Sequence, residues 1–310
     1  MANSQRAATQ KGHRYQFKRF DKWCRARGIV TIAASIKEIA EFLTSLFKQG
    51  MTGGLIKTVK SALSASLPDV NNQSIGHHPR IIQLMKGFAN IRPATYKVPP
   101  RWEVDVVIKF IADLPADWHK MNLTLHTWIL AMLFALTSAG RCSELCSLRL
   151  DRCQRTPEGI LFYLENHKKN HSSSIYPGTI FIPNFPENPR ICPMTRLDGY
   201  LEATSYFRNV EENWLFRSIS QPEKGITAKT FARWVSFCIR AAVSGDTSPS
   251  TQSIAHQARG LAATKASMQG RLTLVEIMAG ADWRTDSVFR RFYKNPHVVP
   301  KFGRAVLKVD

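Results

Sequence analysis

Acidic residues are scarce in this chain. Its 310 residues carry 23 Asp and Glu against 43 Lys and Arg, a formal net charge of +20. An imbalance of that size points away from a cationic partner and toward a polyanion, of which nucleic acid is the usual one. Long apolar runs are missing as well. No stretch approaches the ~18 residues that would cross a bilayer, so no membrane partner is expected. The opening MANSQRAATQKGHRYQ is polar and basic, without the apolar stretch of a secretory signal. The six cysteines include no C-x-x-C pair. Cys142 and Cys146 are four apart but lack a second ligand pair at zinc-finger spacing, so free thiols in a reducing compartment are expected and no metal site. His167 and His171, also four apart, lie in a Lys- and Ser-rich stretch that reads as a solvated loop. There is no internal repeat and no low-complexity segment.

What is present is strongly periodic, and 44% of the chain is hydrophobic, enough for about two cores at the usual ~100–200 residues per domain. Residues 1–91 read as a small helical domain. One apolar stripe runs through Phe17, Phe20 and Cys24. Ser35-Ile36-Lys37-Glu38 is a capping box that opens a second, with Ile36, Ile39, Phe42, Leu43, Leu46 and Phe47 at helical spacing. Leu55, Val59, Ala62 and Leu63 make a third stripe, and Ile81, Leu84, Met85 and Phe88 a fourth. The charge is uneven: residues 1–95 hold 15 basic and 4 acidic residues. Residues 92–101, RPATYKVPPR, contain three prolines and read as an extended basic linker, with Arg92, Lys97 and Arg101 able to lie along phosphates.

Residues 102–310 read as a mixed domain. Val104, Val107, Ile108 and Ile111 mark a helix. Trp128, Ile129, Met132 and Leu136 mark a strongly apolar one at the centre of a core. Gly159–Leu164 and Thr179–Pro183 read as strands flanking the polar loop from His167 to Gly178. Leu197, Tyr200 and Leu201 mark a further helix. Phe231, Trp234, Val235, Cys238, Ile239 and Ala242 then follow at i, i+3, i+4, i+7, i+8 and i+11. The fold class expected is mainly α with a small β-sheet.

Four places in this second domain could carry chemistry. In Ser138-Ala139-Gly140-Arg141-Cys142-Ser143-Glu144, a Gly and an Arg follow the apolar helix directly, and Ser143 with Glu144 can open the next one, which puts a guanidinium at a helix junction. Lys168 and Lys169 sit in the hairpin loop. His256 and Arg259 are three apart and share a helix face, pairing a group that moves protons near neutral pH with one that forks two donors onto a phosphate. Ala281-Asp282-Trp283 is followed ten residues after Trp283 by Tyr293, one of seven tyrosines. Taken singly, each has an ordinary reading as a turn arginine, a solvated lysine, a chance H-x-x-R or an amphipathic tyrosine.

Their order is far more specific than any one of them. Arg141, a hairpin lysine, H-x-x-R, Trp283 and a late Tyr293 together resemble the catalytic set of the tyrosine recombinase (phage integrase) family. SAGRCSELCSL resembles its first-arginine motif, in which the Glu buttresses the Arg turn, and HQARGLAATKASMQGRLTLVEIMAGADWRTDSVFRRFY its second box. ADW…FRRFY, with HPRIIQLMKGFANIRP before the linker, most resembles recombinases of DIRS- and Ngaro-type retrotransposons or Cryptons. Trp283 stands where many bacterial members have His, both being N–H donors, and the gap from Trp283 to Tyr293 is one residue longer than in many of them. The resemblance implies a helical core-binding domain and a mixed α/β catalytic domain in a C-shaped clamp around double-stranded DNA.

It also implies a chemistry. Tyr293 would attack the scissile phosphate and form a 3′-phosphotyrosyl link. Arg141 and Arg259 would hold the non-bridging oxygens, and His256 would relay the tyrosine proton. Lys168, or else Lys169, would protonate the leaving 5′-oxygen, and Trp283 would donate to a phosphate oxygen. Neither metal, ATP nor other cofactor is required. The functional assembly implied is a homo-tetramer, a dimer per site, exchanging strands through a Holliday junction, with a C-terminal tail packing on a neighbouring protomer. The expected location is nuclear for a eukaryotic mobile element and cytoplasmic for a prokaryotic one. A type IB topoisomerase-like nicking-closing enzyme and a non-catalytic DNA-binding descendant are the alternatives. The basic N-terminal domain speaks against the first and the intact residue set against the second.

Overall fold

The computed structural model describes residues 7–70, 72–93, 102–164, 178–208, 213–221, 223–245 and 254–281. The chain divides into two compact units, residues 1–98 and 99–310.

The described residues of the first unit form four α-helices: α1 (Ala7–Arg25), α2 (Ile36–Lys48), α3 (Gly53–Ser66) and α4 (Pro79–Ile91). The Ser35 box forms as its spacing predicts: the Glu38 carboxylate accepts the Ser35 N–H at 2.6 Å, and the Ser35 hydroxyl accepts the Glu38 N–H at 3.3 Å. Thr52 caps α3, and Pro79 stands at the start of α4, where a missing N–H costs nothing. All six apolar residues of the α2 stripe are buried. In α3 the stripe is Ile56, Val59, Ala62 and Leu63, while Leu55 is exposed. Helical side chains lean toward the N-terminus, so a first-turn residue such as Leu55 reaches past the end of its own helix rather than into the core. Arg92, expected to serve the linker, instead closes α2. Its guanidinium donates to the carbonyls of Met51 and Phe47 and stacks 4.3 Å from the Phe47 ring. From Ala94 to Arg101 the expected linker lies outside the described residues.

In the second unit, helix α5 (Val104–Asp113) leads to α6 (Leu123–Ser138), which Asn122 caps through Thr124 N at 2.7 Å. Every residue of α6 from Ile129 to Leu136 is buried. A helix apolar on all sides belongs at the centre of a core, and the other elements wrap it. After the short α7 (Cys142–Leu145) come three antiparallel strands in sequential order, β1 (Cys153–Thr156), β2 (Gly159–Tyr163) and β3 (Thr179–Pro183). The register pairs Ile160 with Ile182 and Phe162 with Ile180, so one face is uniformly apolar and packs on α6. Gly159 closes the β1–β2 turn at φ +152, where a Cβ would stand 2.1 Å from the Ile182 carbonyl oxygen. The sequence pattern did not reveal β1, whose four residues are mostly exposed and carry no alternation. Helices α8 (Pro193–Ala203), α9 (Ala228–Ser244), α10 (Ala255–Met268) and α11 (Leu274–Gly280) follow among the described residues. Among the described residues no helix is long and apolar enough to cross a membrane.

One polar knot is sealed into this core. Arg196 on α8 is fully buried, and its guanidinium donates to the carbonyls of Arg190 at 3.0 and 2.8 Å and of Pro115 at 2.7 Å. Burial lowers its pKa to about 10, so it stays charged. The Arg196 carbonyl in turn accepts from Nε2 of the buried His126 at 2.8 Å, which places the ring proton on Nε2. Burial, helped by the Arg196 charge, holds the His126 pKa below its ordinary value. The neutral form is therefore the native one. Its contribution to stability is complete above the ordinary value of about 6.5 and is lost as pH falls through the lower folded value. Urea midpoints measured from about pH 7 to about pH 5 should fall more steeply for the wild type than for His126→Gln, which keeps a donor near Nε2 and does not titrate. Parallel curves would show that His126 is not the titrating group.

Candidate functional site

The first candidate residue sits at the corner where the buried helix ends. Ala139 leaves α6 in the left-handed region at φ 47, and Ser138 accepts the Gly140 N–H at 3.0 Å. The chain then turns sharply into α7, with Arg141 at its N-cap. Glu144 secures the corner twice. One carboxylate oxygen accepts the Arg141 backbone N–H at 2.9 Å and the other its guanidinium at 2.6 Å. Glu144 is largely buried and the Arg141 side chain is half exposed. A fixed carboxylate thus aims a guanidinium that still faces solvent. Ser143, expected to open the helix, lies inside its first turn instead.

Helix α10 carries the second pair. His256 is exposed in its first turn, and Arg259, one turn on, is 6% exposed. Arg259 Nη2 donates to the Ala281 carbonyl at 2.6 Å, immediately before Asp282-Trp283. Helix α11 is fixed by its own capping box, Thr273 with Glu276. Ala139, Ala263, Ile277 and Ala281 pack into a small apolar cluster. Three of the four are alanines, and small residues let backbones approach closely. This cluster joins the Arg141 corner to the α10–α11 pair that holds Arg259. The structure therefore brings the elements bearing Arg141, His256 and Arg259 together. Lys168, Lys169, Trp283 and Tyr293 lie outside the described residues, as do His167 and His171.

All six cysteines are free. Burial raises the Cys142 and Cys146 thiols, the latter to about 11, so both stay protonated at neutral pH. Among the described residues no three His, Cys, Asp or Glu side chains gather to hold a metal ion.

Two contacts at this site had no trace in the sequence pattern. Trp102, nearly buried at the start of α5, donates its indole N–H to the Gln257 side chain on α10 at 3.0 Å. Asp105 pairs with Lys265 further along the same helix. The partners are 155 and 160 residues apart, beyond any periodicity.

Chemically, the described part of the site offers a braced guanidinium, a second one anchored in the protein, and an exposed imidazole beside it. Two fixed forks of N–H donors suit a tetrahedral anion, and the imidazole can carry a proton to or from it. The brace itself is testable. Glu144→Ala removes two charge-assisted hydrogen bonds and should cost about 1–2 kcal/mol in urea unfolding, whereas Ser143→Ala, at an exposed position, should be neutral. Equal effects would refute the brace.

No protein-family model and no curated protein matches the chain by sequence. Solved structures do. The chain is similar to a lambda integrase dimer bound to a COC′ core site, with 18% identity over 96% of this chain and 92% of that one at a TM-score of 0.56. It is similar to the Tn1549 transposon integrase in complex with circular intermediate DNA, with 12% identity over 99% and 95% at 0.57. It is also similar to the XerH site-specific recombinase bound to difH substrate, with 16% identity over 94% and 76% at 0.58. At these identities the likeness is one of fold. The mainly helical architecture with a small antiparallel sheet is that of the tyrosine recombinases.

Proposed function

We propose that the chain is a site-specific DNA recombinase or integrase that cuts and rejoins strands through a 3′-phosphotyrosyl intermediate. The observation that carries the reading is the Arg141 corner, braced by Glu144 and packed through Ala139 against the helices that hold His256 and Arg259. That arrangement lies on a fold whose similar structures include integrases and a recombinase bound to DNA. The net charge of +20 suits the same partner.

In this reading Tyr293 attacks the scissile phosphate. A tyrosine hydroxyl has a pKa of about 10 and needs help to attack near neutral pH. Its proton passes to His256. Arg141 and Arg259 meet the non-bridging oxygens, where charge builds in the transition state. Trp283 adds a further donor, and Lys168 protonates the departing 5′-oxygen, with Lys169 as the alternative. The phosphotyrosine keeps the bond energy, and a 5′-hydroxyl from the partner strand reverses the step. The rest of the proposal follows from the sequence resemblance: residues 1–91 as a core-binding domain, a homo-tetramer on two duplexes, origin in a DIRS-, Ngaro- or Crypton-like mobile element, and action in the nucleus.

A nicked suicide duplex carrying the terminal sequence of the element that encodes the chain tests the chemistry. The wild type should form a covalent protein–DNA adduct and Tyr293→Phe none. Arg141→Ala and Arg259→Ala should each lose roughly 100-fold or more in rate. No adduct with the wild type, or an equal one with Tyr293→Phe, would overturn the proposal. Relaxation of supercoiled DNA without that site would favour a nicking-closing enzyme.

A further inference from the structure

His256 sits in the first turn of a helix whose N-cap residue, Ile254, has no polar side chain to cap it. The residue before α10 is Ile254, whose side chain accepts nothing. The first turns of helices carry N–H groups with no partner in the helix, and an uncapped end frays. Here the first turn is held from outside. Ile254 N–H donates to the Ser236 hydroxyl on α9 at 3.1 Å. The indole of Trp102 holds the Gln257 side chain at 3.0 Å. Trp102 is itself fixed, being 6% exposed and part of the main core. Nine residues beyond His256, about two and a half helical turns, Asp105 in the first turn of α5 grips Lys265. The segment running from Trp102 into α5 is thus strapped to α10 at two levels, and the upper strap closes on the residue next to His256.

We infer that Trp102 is a positioning residue: through Gln257 it holds the first turn of α10 in helical geometry and so fixes the imidazole of His256 for its proton transfer. The inference rests on the recombinase reading. It assigns a catalytic consequence to a tryptophan that touches neither DNA nor the reacting atoms in that reading. The hydrogen bond, rather than the bulk of the ring, is the part that positions. Core packing anchors the ring, and the N–H reaches across to α10.

Trp102→Phe keeps an aromatic ring and removes the donor together with part of the ring volume. Gln257→Leu keeps the volume of the acceptor and removes its oxygen. Three measurements on the full chain decide the matter: amide hydrogen exchange over residues 255–259, affinity for the nicked suicide duplex, and the single-turnover rate of adduct formation at saturating protein. Each variant should exchange faster in that turn and form adduct roughly tenfold more slowly, since small displacements of a catalytic group carry costs of that size. DNA affinity should stay near that of the wild type in both variants, and Tm should stay near it in Gln257→Leu, while Trp102→Phe also loses core packing and falls in Tm. The double variant should be no slower than either single one, because both remove the same bond. A wild-type rate in both variants would overturn the inference. So would loss of rate only in step with Tm and DNA affinity, or unfolding of both variants, since either makes the contact merely structural. Absence of adduct with the wild type would instead refute the recombinase reading, while faster exchange in the variants would still report that the strap holds α10.

Discussion

The burial of α6 on every side from Ile129 to Leu136 is the constraint on which the second unit turns. A helix with apolar residues on every side has no face to offer water, so it must be surrounded. Helices α8, α9 and α10 and strand β3 all pack on it. Such a helix cannot end gradually either. Its last buried residue, Ser138, turns its hydroxyl back to the Phe134 carbonyl, and Ala139 takes the left-handed geometry that ends the helix within one residue. The chain therefore leaves the core at a fixed point in a fixed direction, with Arg141 two residues on. The position of the Arg141 guanidinium is in this sense a property of the hydrophobic core. Glu144 refines it but does not create it.

Several arginines are held in place by carbonyl oxygens, which position a cation without cancelling it. Arg196 is fully buried and is satisfied by carbonyl oxygens. Arg208 reaches the carbonyls of Trp214 and Leu215, and Arg92 those of Met51 and Phe47. Arg259 reaches the Ala281 carbonyl. A carbonyl dipole accepts from a guanidinium and fixes its plane while leaving the full positive charge in place. The net +20 thus does two jobs that a simple count merges. Part of it staples loops and helix ends from within, and all of it contributes to the field that an approaching polyanion meets.

The apolar periodicity of α2 and α9 was legible because each buries residues at the spacing that its own geometry dictates, α6 and β2 because they are short continuous apolar runs, and β3 because it alternates. Strand β1 was not, since an exposed four-residue edge strand has no reason to alternate. Leu55 was misread because it lies in the first turn of α3, where the side chain leans past the end of the helix. At the candidate site the Arg141 corner and the i, i+3 pair on α10 were legible, because both are local. The grip of Trp102 on Gln257 was not. It joins residues 155 apart, and only the folded chain brings them together.

That contrast has a physical cause. Groups that touch a substrate must be of particular chemical types, so their order along a chain can be distinctive even when each alone is ordinary. Groups that hold them need only complete a hydrogen bond or fill a space, and many residue types at many positions can do so. Gln257 lies between His256 and Arg259 on the chain, yet nothing in its type sets it apart from any other solvent-facing glutamine. The contact that reaches it comes from Trp102, two residues before α5, and runs side chain to side chain, so it braces the turn without pairing any of the backbone N–H groups there.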